Sequence, residues 1–314
     1  MKLKIWAPLA CLAVFMMFAG AAFAQDVDDA TPLSPTLQSK VNRALAEARA
    51  AAPAREAELA KNGAQSQPVT RTKPVSDATI SCSVSYSSGS GANATTFCVT
   101  VNGNIPEFSV AGQEMIFVGS VQEGYGICDT NEGVNYYDYA EYDSGNWAAP
   151  TFTHVGNTVT VTRLTADGLW SLKQTIVNVP ATATGPGSAK VTMIIKNLSG
   201  ISKTFYLYRY ADVDANDTTS PNDFDFTVET AFGLDPGFNR GLSTTNNTFS
   251  SSIGELAYSS NYFDGPNPCS PFNTFGGGTI TTQPFQGDGS VDIFWDGTLA
   301  HNGSKTVSST YKPI

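Results

Sequence analysis

From Thr79 onward, apolar and polar side chains alternate with a period of two. Ile80, Cys82, Val84 and Tyr86 are separated by polar neighbours, and Val159 and Val161 are set between Thr158, Thr160 and Thr162. The Asp167-Gly168 pair divides that second run from Leu169 to Val177, which predicts a hairpin. Val191 to Ile195 and Phe205 to Tyr210 predict an apolar strand pair joined through Asn197 to Gly200. Phe224, Phe226 and Val228 alternate with Asp223, Asp225 and Glu229, giving one buried and one wet face. Val291, Ile293 and Trp295, a turn containing Asn302-Gly303, and Val307 to Tyr311 close the chain. About a dozen such runs with turn residues between them, and no long helical pattern, predict an all-β fold: a large antiparallel two-sheet β-sandwich over 79–314. No internal repeat argues for a propeller or solenoid.

The pattern upstream differs. Residues 25–78 contain no aromatic side chain, and their acidic and basic groups balance. Ser34 and Pro35 stand as helix N-cap and first helical residue. Leu37, Val41, Leu45 and Ala48 then form one narrow apolar stripe. Pro53 breaks this helix, a second piece runs to Lys61, and Asn62-Gly63 ends it. An Ala-rich stripe buries little, so the expectation is a short helical N-terminal arm, with 63–78 as linker. Residues 1–24 read as a signal peptide: Lys2 and Lys4, an apolar run from Ile5 to about Phe18, then Ala22-Phe23-Ala24 as cleavage site. Pro8, three residues before Cys11, excludes a lipoprotein signal. No second apolar stretch approaches the ~20 residues of a membrane helix, so the mature chain is expected to be secreted or periplasmic, without a span.

Charge narrows the partners. The 314 residues carry a net charge of −10, and loss of Lys2 and Lys4 with no acid takes it to −12. That balance disfavours nucleic acid, which needs a basic face. Nine acids and no Lys or Arg lie between Lys73 and Arg163, a bias that suits cation binding or simple solubility. Four cysteines survive cleavage, Cys82, Cys98, Cys128 and Cys269, without C-x-x-C spacing. In an exported chain they make two disulfides, with three possible connectivities. Cys82 and Cys98 flank a Gly/Ser/Asn-rich turn, which favours Cys82–Cys98 with Cys128–Cys269.

The final stretch, Gly297-Thr298-Leu299-Ala300-His301-Asn302-Gly303-Ser304-Lys305-Thr306-Val307, resembles the closing hairpin of exported bacterial β-sandwich domains. With the length of the β region, the chain resembles a large sandwich of the galactose-mutarotase-like kind. The resemblance implies a fold and carries no catalytic residue with it.

Two constellations could carry chemistry. Asp212, Asp214 and Asn216 present oxygen ligands at alternating positions, and Asp223 falls where a calcium loop's twelfth ligand would be. Asp217 replaces the turn glycine and the flanks read as strands, so the spacing is like an EF-hand loop without being one. A solvated acidic loop is the alternative. The second is Asn135 to Asp143, followed by Trp147. Aromatic faces stack on sugar rings and carboxylates accept hydroxyl hydrogen bonds, so Tyr137, Tyr139, Tyr142, Asp143 and Trp147 are candidate glycan contacts. Trp147 follows Ser144-Gly145-Asn146, which could hold an indole exposed; an aromatic strand packed in the core is the alternative. No G-x-S-x-G, zinc spacing, P-loop or dinucleotide fingerprint occurs, and His154 and His301 stand alone. The expected role is an exported binding protein, with carbohydrate the first ligand class to test. A carbohydrate-active enzyme with paired carboxylates and a structural surface protein are the rivals.

Overall fold

A computed structural model describes residues 81–117, 121–140, 142–215, 222–227, 229–237, 239–249, 255–260, 266–274 and 284–314. The signal segment, helical arm and linker expected over 1–78 lie outside the described residues. Within them the fold is all-β and antiparallel, as the alternation requires.

Two large sheets make the body. The nine-stranded sheet runs, edge to edge, Phe285–Gly287, Asn222–Phe226, Thr230–Asp235, Arg240–Asn246, Ser304–Pro313, Ser188–Asn197, Trp170–Val179, Thr158–Leu164 and Thr151–Val155. The six-stranded sheet runs Leu256–Ser260, Ser290–Leu299, Lys203–Asp212, Val121–Asp129, Val134–Ala140 and Tyr142–Asp143. A four-stranded sheet, Cys82–Ser88 to Gln113–Glu114, adds Phe97, Val99 and Phe108 to the same hydrophobic core. Val159, Val161, Leu172, Val191, Met193 and Ile195 from one large sheet meet Ile127, Phe205, Leu207, Val291, Ile293 and Trp295 from the other. Every second residue is inward, so each strand's apolar set fills the space between layers.

Three buried ionic groups tie the layers together. Arg209 pairs with Glu123 at 2.6 Å and donates to Gln174 at 2.7 Å, while the Tyr311 hydroxyl donates to Glu123 at 3.0 Å. Lys203 pairs with Asp129, which also accepts from the Trp170 indole. Arg163 pairs with Asp138 and, at 3.2 Å, with Asp143. Each is multiply hydrogen-bonded, as a charge removed from water must be.

The predicted hairpin of Thr158–Leu164 with Trp170–Val179 is present, in register from Ser171↔Leu164 to Val177↔Thr158. Two other pairings differ from expectation. Val191 to Ile195 and Phe205 to Tyr210 do not pair. The first lies between Trp170–Val179 and Ser304–Pro313, the second between Ser290–Leu299 and Val121–Asp129. The closing segment is likewise no hairpin, because Ser290–Leu299 and Ser304–Pro313 belong to opposite sheets. Both connections are arches that switch sheets, and they bond to each other: Asn197 N to Gly303 O at 3.0 Å and Asn302 N to Asn197 O at 2.9 Å. The Asn197 side chain, fully buried, donates to Ile201 O and Leu299 O at 2.7 and 2.9 Å. An apolar strand on each side of a short polar turn satisfies a hairpin and an arch equally well; the shared core selects the arch.

Candidate functional site

The outer face of the six-stranded sheet is lined with aromatic and acidic groups. On Val134–Ala140, strand alternation sends Tyr136 and Asp138 toward the core and Tyr137 and Tyr139 to this face, where their rings stack at 5.2 Å and 16°. The neighbouring strand carries glycine here: Gly126 lies between Tyr137 on one side and Tyr208 on the other. A Cβ at Gly126 would meet Pro268 at 2.5 Å, so glycine is what allows the Pro266–Thr274 hairpin to seat on the sheet. That hairpin is fastened by the Cys128–Cys269 disulfide, by a Cys269 N bond to Asn135 Oδ1 of 2.7 Å, and by the Tyr139 hydroxyl donating to Pro266 O. Both expected disulfides are formed, with Cα–Cα distances of 5.6 Å for Cys82–Cys98 and 4.8 Å for Cys128–Cys269.

Tyr206, Tyr208 and Tyr210 continue the face across Lys203–Asp212. Tyr139 lies 5.5 Å from Tyr210, Tyr208 and Tyr258 bond through their hydroxyls, and Phe294 packs between Tyr206 and Tyr208. Asp292, opposite Tyr210 and Tyr258, is fully enclosed, and Ser290 Oγ bonds its Oδ2 at 2.8 Å. Burial raises the Asp292 carboxyl well above the ordinary range, and the same burial, reinforced by Asp292, raises the phenols of Tyr139, Tyr208 and Tyr258. Burial thus disfavours the charged form of all four groups, the carboxyl and the three phenols alike. Tyr137 and Tyr206 are its half-exposed members.

Beside this cluster stand Asp212, Asp214 and Asp288, each offering a carboxylate oxygen within 4.8 Å of the others. Asp212 and Asp214 were expected together; Asp288 enters from the far end of the sequence. Asp223 stands apart in mid-strand, accepting from Gln286 at 2.8 Å, and Asn216 lies outside the described residues.

The other expected contacts sit elsewhere. Trp147 is not an exposed platform: it is 9% exposed, donates through Nε1 to Tyr137 O at 3.2 Å, and packs edge-on against Tyr125 and Tyr136 beneath the Arg163 guanidinium. The Gly145 turn that could have exposed it is closed instead by Asp143 accepting from Gly145 N. Asp143 is also engaged by Arg163, and the side chain of Tyr142 lies outside the described residues. Sequence reasoning missed Tyr208, Tyr258 and Asp292. The alternation of tyrosine through 206, 208 and 210 was the available signal, since a strand apolar on both faces is covered on both.

No family model matches the sequence, and no curated protein matches it. Among solved structures, a bacterial glucoamylase complexed with acarbose superposes with a TM-score of 0.52 at 11% identity, over 75% of this chain and 32% of that one. The chain thus spans about a third of that protein's length. A galactose mutarotase-like protein from Clostridium acetobutylicum superposes with a TM-score of 0.38 at 9% identity, over 73% and 95% of the two chains. At these identities the glucoamylase likeness is one of fold, a large antiparallel β-sandwich.

Proposed function

We propose that this chain is an exported carbohydrate-binding β-sandwich whose ligand is held at the aromatic face of the six-stranded sheet. The observation that carries the reading is the parallel Tyr137–Tyr139 stack, continued by Tyr206 to Tyr210 and set among carboxyl groups. Flat rings offer the apolar C–H face of a sugar a surface, and neighbouring carboxyls bind its hydroxyls. Tyr137 and Tyr206, which retain exposure, are the contacts a ligand meets first. Two disulfides support an oxidising compartment. The signal-type N-terminus supports export, which a mature N-terminus at Gln25 would establish. Asp212, Asp214 and Asp288 would hold Ca²⁺, whose preference for several carboxylate oxygens they match.

A glycan array on the mature chain tests the reading. Tyr137→Ala should weaken any sugar found by about thirtyfold, as losing a stacked aromatic at a binding centre costs roughly 2 kcal/mol. Unchanged affinity in the folded variant would remove the site from this face. One observation favours hydrolysis as a second reading: Asp292, whose carboxyl burial raises above the ordinary range, sits diagonally across two paired strands from Asp212, which pairs with Ser290. Such a pair could supply acid and base to a glycosidic bond. Turnover of chromogenic glycosides, abolished by Asp292→Asn, would establish it.

A further inference from the structure

The outer face of the nine-stranded sheet has the opposite character. Six adjacent strands, from Arg240–Asn246 through Ser304–Pro313, Ser188–Asn197, Trp170–Val179 and Thr158–Leu164 to Thr151–Val155, contain no Asp or Glu. The whole chain has 28 acids and 18 bases. Lys173, Lys190 and Lys312 point outward and are exposed, and Lys196 is half-exposed beside them. None of the four has an acidic partner among the described residues, whereas Lys203 and Lys305 are both ion-paired. A row of hydroxyls crosses the same face in register: Thr153↔Thr160↔Thr175↔Thr192.

We infer that this face docks an acidic polysaccharide. Charge complementarity selects a polyanion, because every outward-pointing charge on these six strands is positive on a chain that is otherwise acidic. The hydroxyl row selects a sugar polymer over a lipid surface, since Thr exchanges hydrogen bonds with ring hydroxyls at each strand spacing. The register places Lys173 diagonal to Lys196, which lies two residues beyond its partner Ile194, and Lys190 diagonal to Lys312 across Thr310. Strand geometry puts each pair about 8 Å apart and the two pairs about 14 Å from each other, so successive anionic groups along an extended chain could be met in turn. The face lies on the opposite side of the sandwich from the tyrosine cluster, so the inference stands independently of that site.

Retention of the mature chain on immobilised heparin and on polygalacturonate, with a neutral dextran column alongside, tests it. The expected result is retention on both acidic polymers at low salt, passage through dextran, and release as the screening length falls from about 30 Å at 0.01 M to about 8 Å at 0.15 M. Lys173→Glu with Lys190→Glu and Lys312→Glu should weaken binding at least tenfold. If the triple reversal lowers the melting temperature, the Lys→Gln triple replaces it with the same expectation. Passage of the wild-type chain through both acidic columns would overturn the inference, as would undiminished retention of the folded triple variant. Binding to phosphatidylserine vesicles with no retention on either polymer would also overturn it, in favour of a membrane.

Discussion

At the residue scale, the informative group is Asp292. Its folded pKa is raised by burial, with Ser290 the one hydrogen bond that opposes the shift. The folded chain therefore holds a proton that the unfolded chain releases near pH 4. The stability this confers is fully present below that pH and is lost as pH rises toward the folded value, at about 1.4 kcal/mol per unit. Asp138, which burial pushes up to about 7 against the pull of Arg163, adds a slope of the same sign. The contribution of Asp292 is isolated by difference: between pH 4 and 7 the melting temperature of Asp292→Asn should fall less steeply than that of the wild type. Parallel curves would mean that Asp292 is ionised in the fold. Trp147 teaches the converse lesson. Its neighbours Ser144, Gly145 and Asn146 describe a turn correctly, yet a turn's composition does not say which way the next side chain faces.

At the element scale, strands and their faces were legible because side-chain direction in a strand is a local property. Pairing is not local. Val191 to Ile195 and Phe205 to Tyr210 have the apolarity and short polar link of a hairpin, and each finds its partners in a different sheet. The arches depend on Asn197, whose side chain takes up carbonyls from both and accepts from Ser199 N at 2.9 Å. Asn197→Ala would remove both donations and the acceptor for Ser199 N, and should destabilise the fold by about 2–3 kcal/mol, measured by denaturant titration. A loss under about 0.5 kcal/mol would show that the strands hold the arches unaided.

At the scale of the whole molecule, charge is segregated between two sheet faces. One carries Asp212, Asp214, Asp288 and Asp292 with the tyrosines; on the other, the six strands from Arg240–Asn246 to Thr151–Val155 carry lysines and no acid, the acids Asp223 and Asp225 lying toward the far edge. If Asp212, Asp214 and Asp288 bind Ca²⁺ in the folded state only, ion at ~100 times its dissociation constant adds about 2.7 kcal/mol. Chelator should then lower the melting temperature, and Asp214→Asn should shrink the difference. Superimposable melting curves with ion and with chelator would leave the three carboxylates a structural group.

The amino-acid pattern by itself determined the all-β class, the alternation of faces along the strands it marked, and the cysteine pairing across the Gly/Ser/Asn-rich turn. Each of these rests on residues near one another in the chain or on a choice among three connectivities. Tertiary structure alone decided which strands share a sheet, the burial of Trp147, and the assembly of Tyr139, Tyr208, Tyr258 and Asp292 into one buried cluster. Those residues are up to 153 positions apart, from Tyr139 to Asp292. They meet because the arches put Lys203–Asp212 between Val121–Asp129 and Ser290–Leu299. Local alternation says that a side chain points outward from its strand; only the order of strands in the sheet says what stands beside it.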